Sequence, residues 1–90
     1  MSDPKLSVYA TECDWWVAAS VAEVEEMYLK RYGDTVQAMC DEIELLPDDR
    51  VLKIMCDEDG QISDSGEAIP RMAAEWAIRE GRGLLASTEL

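Results

Sequence analysis

The sequence predicts a single α+β domain with the element order β-α-β-β-α-β, and three observations carry that expectation. Residues 5–19 are rich in Val, Tyr, Thr and Trp, with apolar side chains at alternate positions. Residues 20–33 switch to helical spacing behind a capping signal. Beyond residue 40, two β-type runs, a second helical stripe and a last apolar run follow in turn. Ninety residues at 48% hydrophobic suffice for one core and leave nothing for a second domain. The domain is therefore expected to span 1–90, with 1–4 as a loose end.

In residues 5–19, Leu6, Val8 and Ala10 share one parity, while Cys13, Trp15 and Val17 share the other. The flip around Thr11 and Glu12 predicts a bulge or bend in one strand. Ser20-Val-Ala-Glu23 has the form of a capping box, so a helix is expected to start there. Val21, Val24, Met27, Tyr28 and Tyr32 continue it at helical spacing, Lys30 and Arg31 suit its C-terminal end, and Gly33 suits its cap. Residues 34–40 fit a helix or a loop. A strand is expected over 40–46, ended by Pro47, and a second over 51–56 beyond the Pro47-Asp-Asp-Arg50 turn. The Asp57-Glu-Asp-Gly60 turn closes that strand, and 61–67 read as loop. A helix over 69–80 takes Pro70 in its first turn and Met72, Ala73, Trp76 and Ala77 as its apolar stripe. Residues 83–87 make the final strand. The order resembles the split βαβ of ferredoxin-like folds, an antiparallel four-stranded sheet with two helices on one face.

Twenty acidic side chains against eight basic ones give a net charge of −12, and there is no histidine. Direct binding of nucleic acid or of anionic membrane needs Lys and Arg, and is not expected. No apolar run reaches transmembrane length, and the polar MSDPKLSVYA start does not read as a signal peptide. Cys13, Cys40 and Cys56 are odd in number, without CxxC spacing, and each precedes an aspartate that opposes thiolate formation. Reduced thiols in a cytoplasmic protein are the expectation.

Little in the sequence carries enzyme chemistry. A histidine base, a glycine-rich phosphate loop, a Ser/His/Asp set and an HExxH motif are all missing. Alignment of Asp57, Asp59, Gly60 and Ser63 on a calcium loop leaves Met55 and Gly66 at its first and twelfth positions, where acids are required. An acidic β-turn explains that stretch better, and neither metal nor cofactor is expected. MCDE occurs at 39–42 and again at 55–58, which is too little for a structural repeat.

The charge distribution is the more telling signal. Asp41, Glu42, Glu44, Asp48, Asp49, Asp57, Glu58, Asp59, Asp64 and Glu67 face only Arg50 and Lys53 in the same segment, which so contributes −8 of the −12. Side chains on one face of a strand recur every ~6.6–6.8 Å, on the scale of successive phosphates along a nucleic-acid strand. An acidic face of this kind can occupy a groove lined with Lys and Arg; its plainer role is to keep the protein soluble. Trp16 adds a second hint. Parity puts Trp15 inward with Cys13 and Val17, and Trp16 outward beside Glu12 and Asp14, as an exposed anchor.

Two segments, Asp14-Trp-Trp-Val-Ala-Ala-Ser20 and Leu84-Leu-Ala-Ser-Thr-Glu-Leu90, resemble parts of small acidic proteins encoded by phages and prophages. In size and charge the chain is also similar to anti-CRISPR and anti-restriction inhibitors that imitate nucleic acid. That resemblance implies a non-enzymatic inhibitor in the host cytoplasm. Its partner would be a protein with a basic nucleic-acid groove, a CRISPR-Cas effector above all, bound through the ten acids and Trp16. The alternative expectation is a structural or adaptor protein that packs or forms a homodimer through an exposed sheet face.

Overall fold

A computed structural model describes residues 5–12, 14–63 and 66–87. The elements are β1 (Ser7–Ala10), β2 (Asp14–Ala18), α1 (Val21–Tyr32), β3 (Glu44–Leu45), β4 (Val51–Cys56), β5 (Glu67–Met72), α2 (Ala73–Glu80) and β6 (Gly83–Ser87). The α+β class, the antiparallel pairing and the two helices are as the sequence predicts, in broadly the expected order. Cys13, Asp64 and the end segments 1–4 and 88–90 lie outside the described residues.

The first predicted strand is instead a hairpin. β1 and β2 pair antiparallel from Ser7↔Ala18 to Ala10↔Trp15, and the Thr11 N–H donates to the Asp14 carbonyl at 2.9 Å. The parity flip at Thr11 marks a reversal of direction, which changes the inward set just as a bulge does. Around this hairpin a four-stranded sheet forms in the order β3-β1-β2-β6, while β4 and β5 form a separate two-stranded sheet.

The helices do not share a face. α1 packs on the side that carries Tyr9, Trp16 and Ala18, with Val24, Tyr28 and Val36 beneath it. α2 packs on the opposite side, where Val8, Val17 and Leu85 meet Leu52, Ile54, Ala73, Trp76 and Ala77. β2 is apolar at both parities, as a strand covered on both faces must be. The expected arrangement of both helices on one face is corrected by these two cores.

α1 begins at Ser20, whose Oγ accepts from the Glu23 N–H at 3.3 Å. The reciprocal bond comes to Glu23 Oε1 from the Ala19 N–H at 2.9 Å, one residue before the cap. Gly33 ends the helix at φ 74°, its N–H donating to the Leu29 carbonyl at 2.8 Å. Residues 36–40 form a turn opened by Thr35 Oγ1, which accepts from the Ala38 N–H at 3.1 Å. The turn closes with paired bonds, Cys40 N–H to the Gln37 carbonyl and Asp41 N–H to the Val36 carbonyl. This is the hydrogen-bond signature of a Schellman motif, with Cys40 at φ 56° where glycine is usual. The chain is thereby spent on a turn, and the strand expected over 40–46 shrinks to Glu44–Leu45.

β5 replaces the end of the expected loop and the start of the expected second helix. It pairs with β4 without a break from Cys56↔Glu67 to Val51↔Met72. Pro70 is tolerated because β5 is an edge strand. α2 therefore starts at Ala73, and its first amides donate to the turn before β4: Ala73 N–H to the Arg50 carbonyl at 2.8 Å and Ala74 N–H to that of Asp48 at 3.1 Å. At Gly66 a side chain would overlap the Cys56 carbonyl, so this crossing demands glycine. Among the described residues no helix is long and apolar enough to cross a membrane.

Candidate functional site

The acidic segment does not form one continuous face. β4 separates its two turns by about 17 Å, at 3.3–3.4 Å per residue. Asp48 and Asp49 lie in the turn before β4; Asp57, Glu58 and Asp59 lie in the turn after it. Glu67 opens β5 opposite Cys56 and joins that second group. Glu42 and Glu44 are exposed near the edge formed by β3.

The second group lines an open hollow of about 670 Å³ at the end of the β4–β5 hairpin, together with Cys56, Gly66 and Ile69. Asp57 organises the turn. Its Oδ1 accepts from the Asp59 N–H at 2.9 Å and the Gln61 N–H at 3.0 Å. Its backbone N–H reaches the Gln61 carbonyl at 2.7 Å, and its carbonyl accepts from Gly60 at 3.0 Å. Glu58, Asp59 and Glu67 are exposed, and none of the three is in an ion pair within the described residues. The turn thus exposes two carboxylates from a backbone pinned by Asp57, and β5 adds a third at Glu67.

Asp48 is half-buried and ion-paired with Lys5. Asp41 is drawn inward: its Oδ1 accepts from the Glu12 N–H at 3.0 Å and the Glu42 N–H at 2.7 Å, and its Oδ2 from the Tyr28 hydroxyl at 3.1 Å. It holds three segments together. Asp64 falls outside the described residues.

Trp16 is not an exposed anchor. It is 2% exposed, lies under α1 with its ring centroid 6.2 Å from that of Tyr28, and donates from Nε1 to Thr11 Oγ1 at 3.3 Å. Parity places it correctly on the face of Asp14, but that face is roofed by α1. Both neighbouring indoles find cover because the sheet has a core on each side, with Trp15 half-buried on the α2 side.

The same roof brings together a polar cluster that the sequence did not single out. Asp14 is 2% exposed, and its Oδ2 accepts from the Tyr32 hydroxyl, with Arg31 Nε at 4.0 Å. Tyr28 and Tyr32 pack one turn apart, their rings tilted at 52° with centroids 4.6 Å apart. Burial, together with donation to the Asp41 carboxylate, pushes the Tyr28 phenol up to about 12. Burial and Asp14 likewise raise Tyr32. These groups hold protons tightly and face each other, which suits a structural network. The spacing of Tyr28 and Tyr32, four residues apart on a helix, was its one legible signal.

No family model matches the chain, and neither a curated protein nor a solved structure matches it.

Proposed function

We propose that the protein is a non-enzymatic inhibitor that docks the acidic end of its β4–β5 hairpin into a Lys- and Arg-lined groove on a nucleic-acid-handling effector. A CRISPR-Cas complex in the host cytoplasm is the effector the likeness to anti-CRISPR proteins favours. One observation carries this reading: Glu58 and Asp59, in the turn that Asp57 fixes, and Glu67, at the start of β5, stand exposed around the hollow. Five of the basic residues are meanwhile occupied with acids elsewhere, at Lys5–Asp48, Lys30–Glu26, Arg31–Asp14, Arg71–Glu75 and Arg82–Glu23. Carboxylates in that state steer association with a cationic surface and lose their pull as salt rises.

The test is capture of partners from bacterial lysate with the tagged chain, washed across a salt series and challenged with DNA. The expected partner is a nucleic-acid enzyme released by salt and by DNA. A variant with Glu58, Asp59 and Glu67 each changed to Lys, and Asp57 kept to preserve the turn, should melt normally and lose that partner. Retention of the same partner by the folded variant overturns the proposal.

A further inference from the structure

We infer that the outer edge of β6 is a self-association surface, at which a second copy of this chain continues the four-stranded sheet. This inference is independent of the acidic hairpin end. The first observation is a contrast among sheet edges. β3 is two residues long and carries Glu44, β4 carries Lys53, and β5 carries Glu67 and Pro70. Each has a short length, a charge or a proline, the features that discourage edge-to-edge pairing. β6, Gly83–Ser87, is five residues with neither charge nor proline, and it pairs only with β2 among the described residues.

The second observation is what overhangs that edge. Glu23, Met27, Lys30 and Arg31 lie on one side of α1, at spacings of three and four residues. Glu23 reaches Arg82, next to the start of β6, at 3.1 Å. Met27, Lys30 and Arg31 line an open hollow of about 440 Å³ with Trp16 and Leu84, the latter on β6 and 40% exposed. Along the helix the stripe reads acid, methionine, cation, with the exposed Glu26 on its flank. Within one chain Lys30 pairs with Glu26 at 3.9 Å and Glu23 with Arg82 at 3.1 Å; the Lys30–Glu26 pair is held at the open surface, where such a contact is worth little and can be exchanged for one to a second copy.

That polarity selects the occupant. A two-fold axis perpendicular to the sheet sets β6 antiparallel to its mate and α1 antiparallel to its mate on the same face. The cationic end of one stripe then meets the acidic end of the other, and Leu84 of each copy lies toward the two hollows. The strongly acidic β4–β5 hairpin packs beneath the opposite face, beside α2, so two copies with a charge of −12 meet where their charges are complementary. Their remaining repulsion is screened over a Debye length of about 8 Å at physiological salt.

Sedimentation equilibrium of the full chain at about 0.15 M salt, from micromolar to sub-millimolar protein, tests this directly. The weight-average mass should climb with concentration towards twice the 10.1 kDa of one chain. Leu84→Lys, which puts a charge on the edge, should weaken association about tenfold or more at an unchanged melting temperature. Lys30→Glu, on the surface and away from the core, should weaken it too, and adding Glu26→Lys should restore it by exchanging the signs at the two facing positions. A mass of 10.1 kDa at every concentration overturns the inference, as does a dimer that survives both Leu84→Lys and Lys30→Glu.

Discussion

The two faces of the central sheet are built on different principles. On the α2 side, Val8, Val17, Leu52, Ile54, Leu85 and Trp76 make a largely apolar core, into which Trp76 Nε1 donates to the Leu52 carbonyl at 3.0 Å, the Cys56 thiol donates to the Ile54 carbonyl at 3.7 Å and the Arg71 guanidinium lies 4.8 Å over that indole. On the α1 side, Tyr28, Tyr32, Asp14, Asp41 and Thr11 weave hydrogen bonds through the apolar packing. Burial of apolar area is undirected and tolerates approximate shapes, whereas a bonded network fixes one arrangement and penalises every other. The contrast teaches that one sheet can take most of its stability from one face and its uniqueness from the other.

The strongest way to break the contrast is to truncate the two large indoles. Trp76→Ala should cost about 4–5 kcal/mol, since it opens a cavity and leaves the Leu52 carbonyl without that donor. Trp16→Ala should cost about 3–4 kcal/mol, because its 3.3 Å bond to Thr11 is weaker; urea denaturation of both variants gives the comparison. An exposed Trp16 would instead lose almost nothing.

Removing hydroxyls probes the bonded face alone. Tyr32→Phe takes a donor from the buried Asp14, whose Oδ1 already lacks a hydrogen-bond partner, and should cost about 1.5–3 kcal/mol. Tyr28 supplies a pH readout. Its folded phenol binds its proton more tightly than the unfolded one, so the stability it contributes is complete below pH 10 and is lost as pH rises through about 12. A melting series over that window should fall more steeply for the wild type than for Tyr28→Phe; equal slopes would contradict the raised value.

The smallest change sharpens the same face. Cys40 takes the left-handed conformation that closes the turn above Val36, at a steric cost of about 1–2 kcal/mol. Cys40→Gly relieves it but frees the unfolded chain, so a net gain of about 0.5 kcal/mol is expected from thermal unfolding. A loss would show that the thiol makes a favourable contact.

Local chemistry was legible and coverage was not. Ser20, Glu23, Gly33 and the Asp57 turn announce themselves because their effects act within four residues of chain. The parity of Trp15 and Trp16 was equally plain, yet parity states only which residues share a side, never what lies over it. Only the fold decides that, through α1 on one side and α2 on the other. The sequence starts the second helix too early because Pro70 suits a helix start as well as an edge strand, and the choice rests on its β4 partner Lys53, seventeen residues back in the chain. Of the ten acids, Asp41 leaves the candidate surface because two donors from distant segments, the Glu12 N–H and the Tyr28 hydroxyl, converge on it, which no spacing encodes.

The pairing of β2 with β6 joins residues about 70 positions apart, from Asp14↔Ser87 to Val17↔Gly83. Chains are synthesised at about 5–20 residues per second, so β2 exists for roughly 4–14 s before the strand that completes its sheet has been made. Throughout that interval a strand with two tryptophans has one open side. The newborn protein thus passes through a stage at which timing, rather than final stability, decides whether β2 meets its own last strand or someone else's.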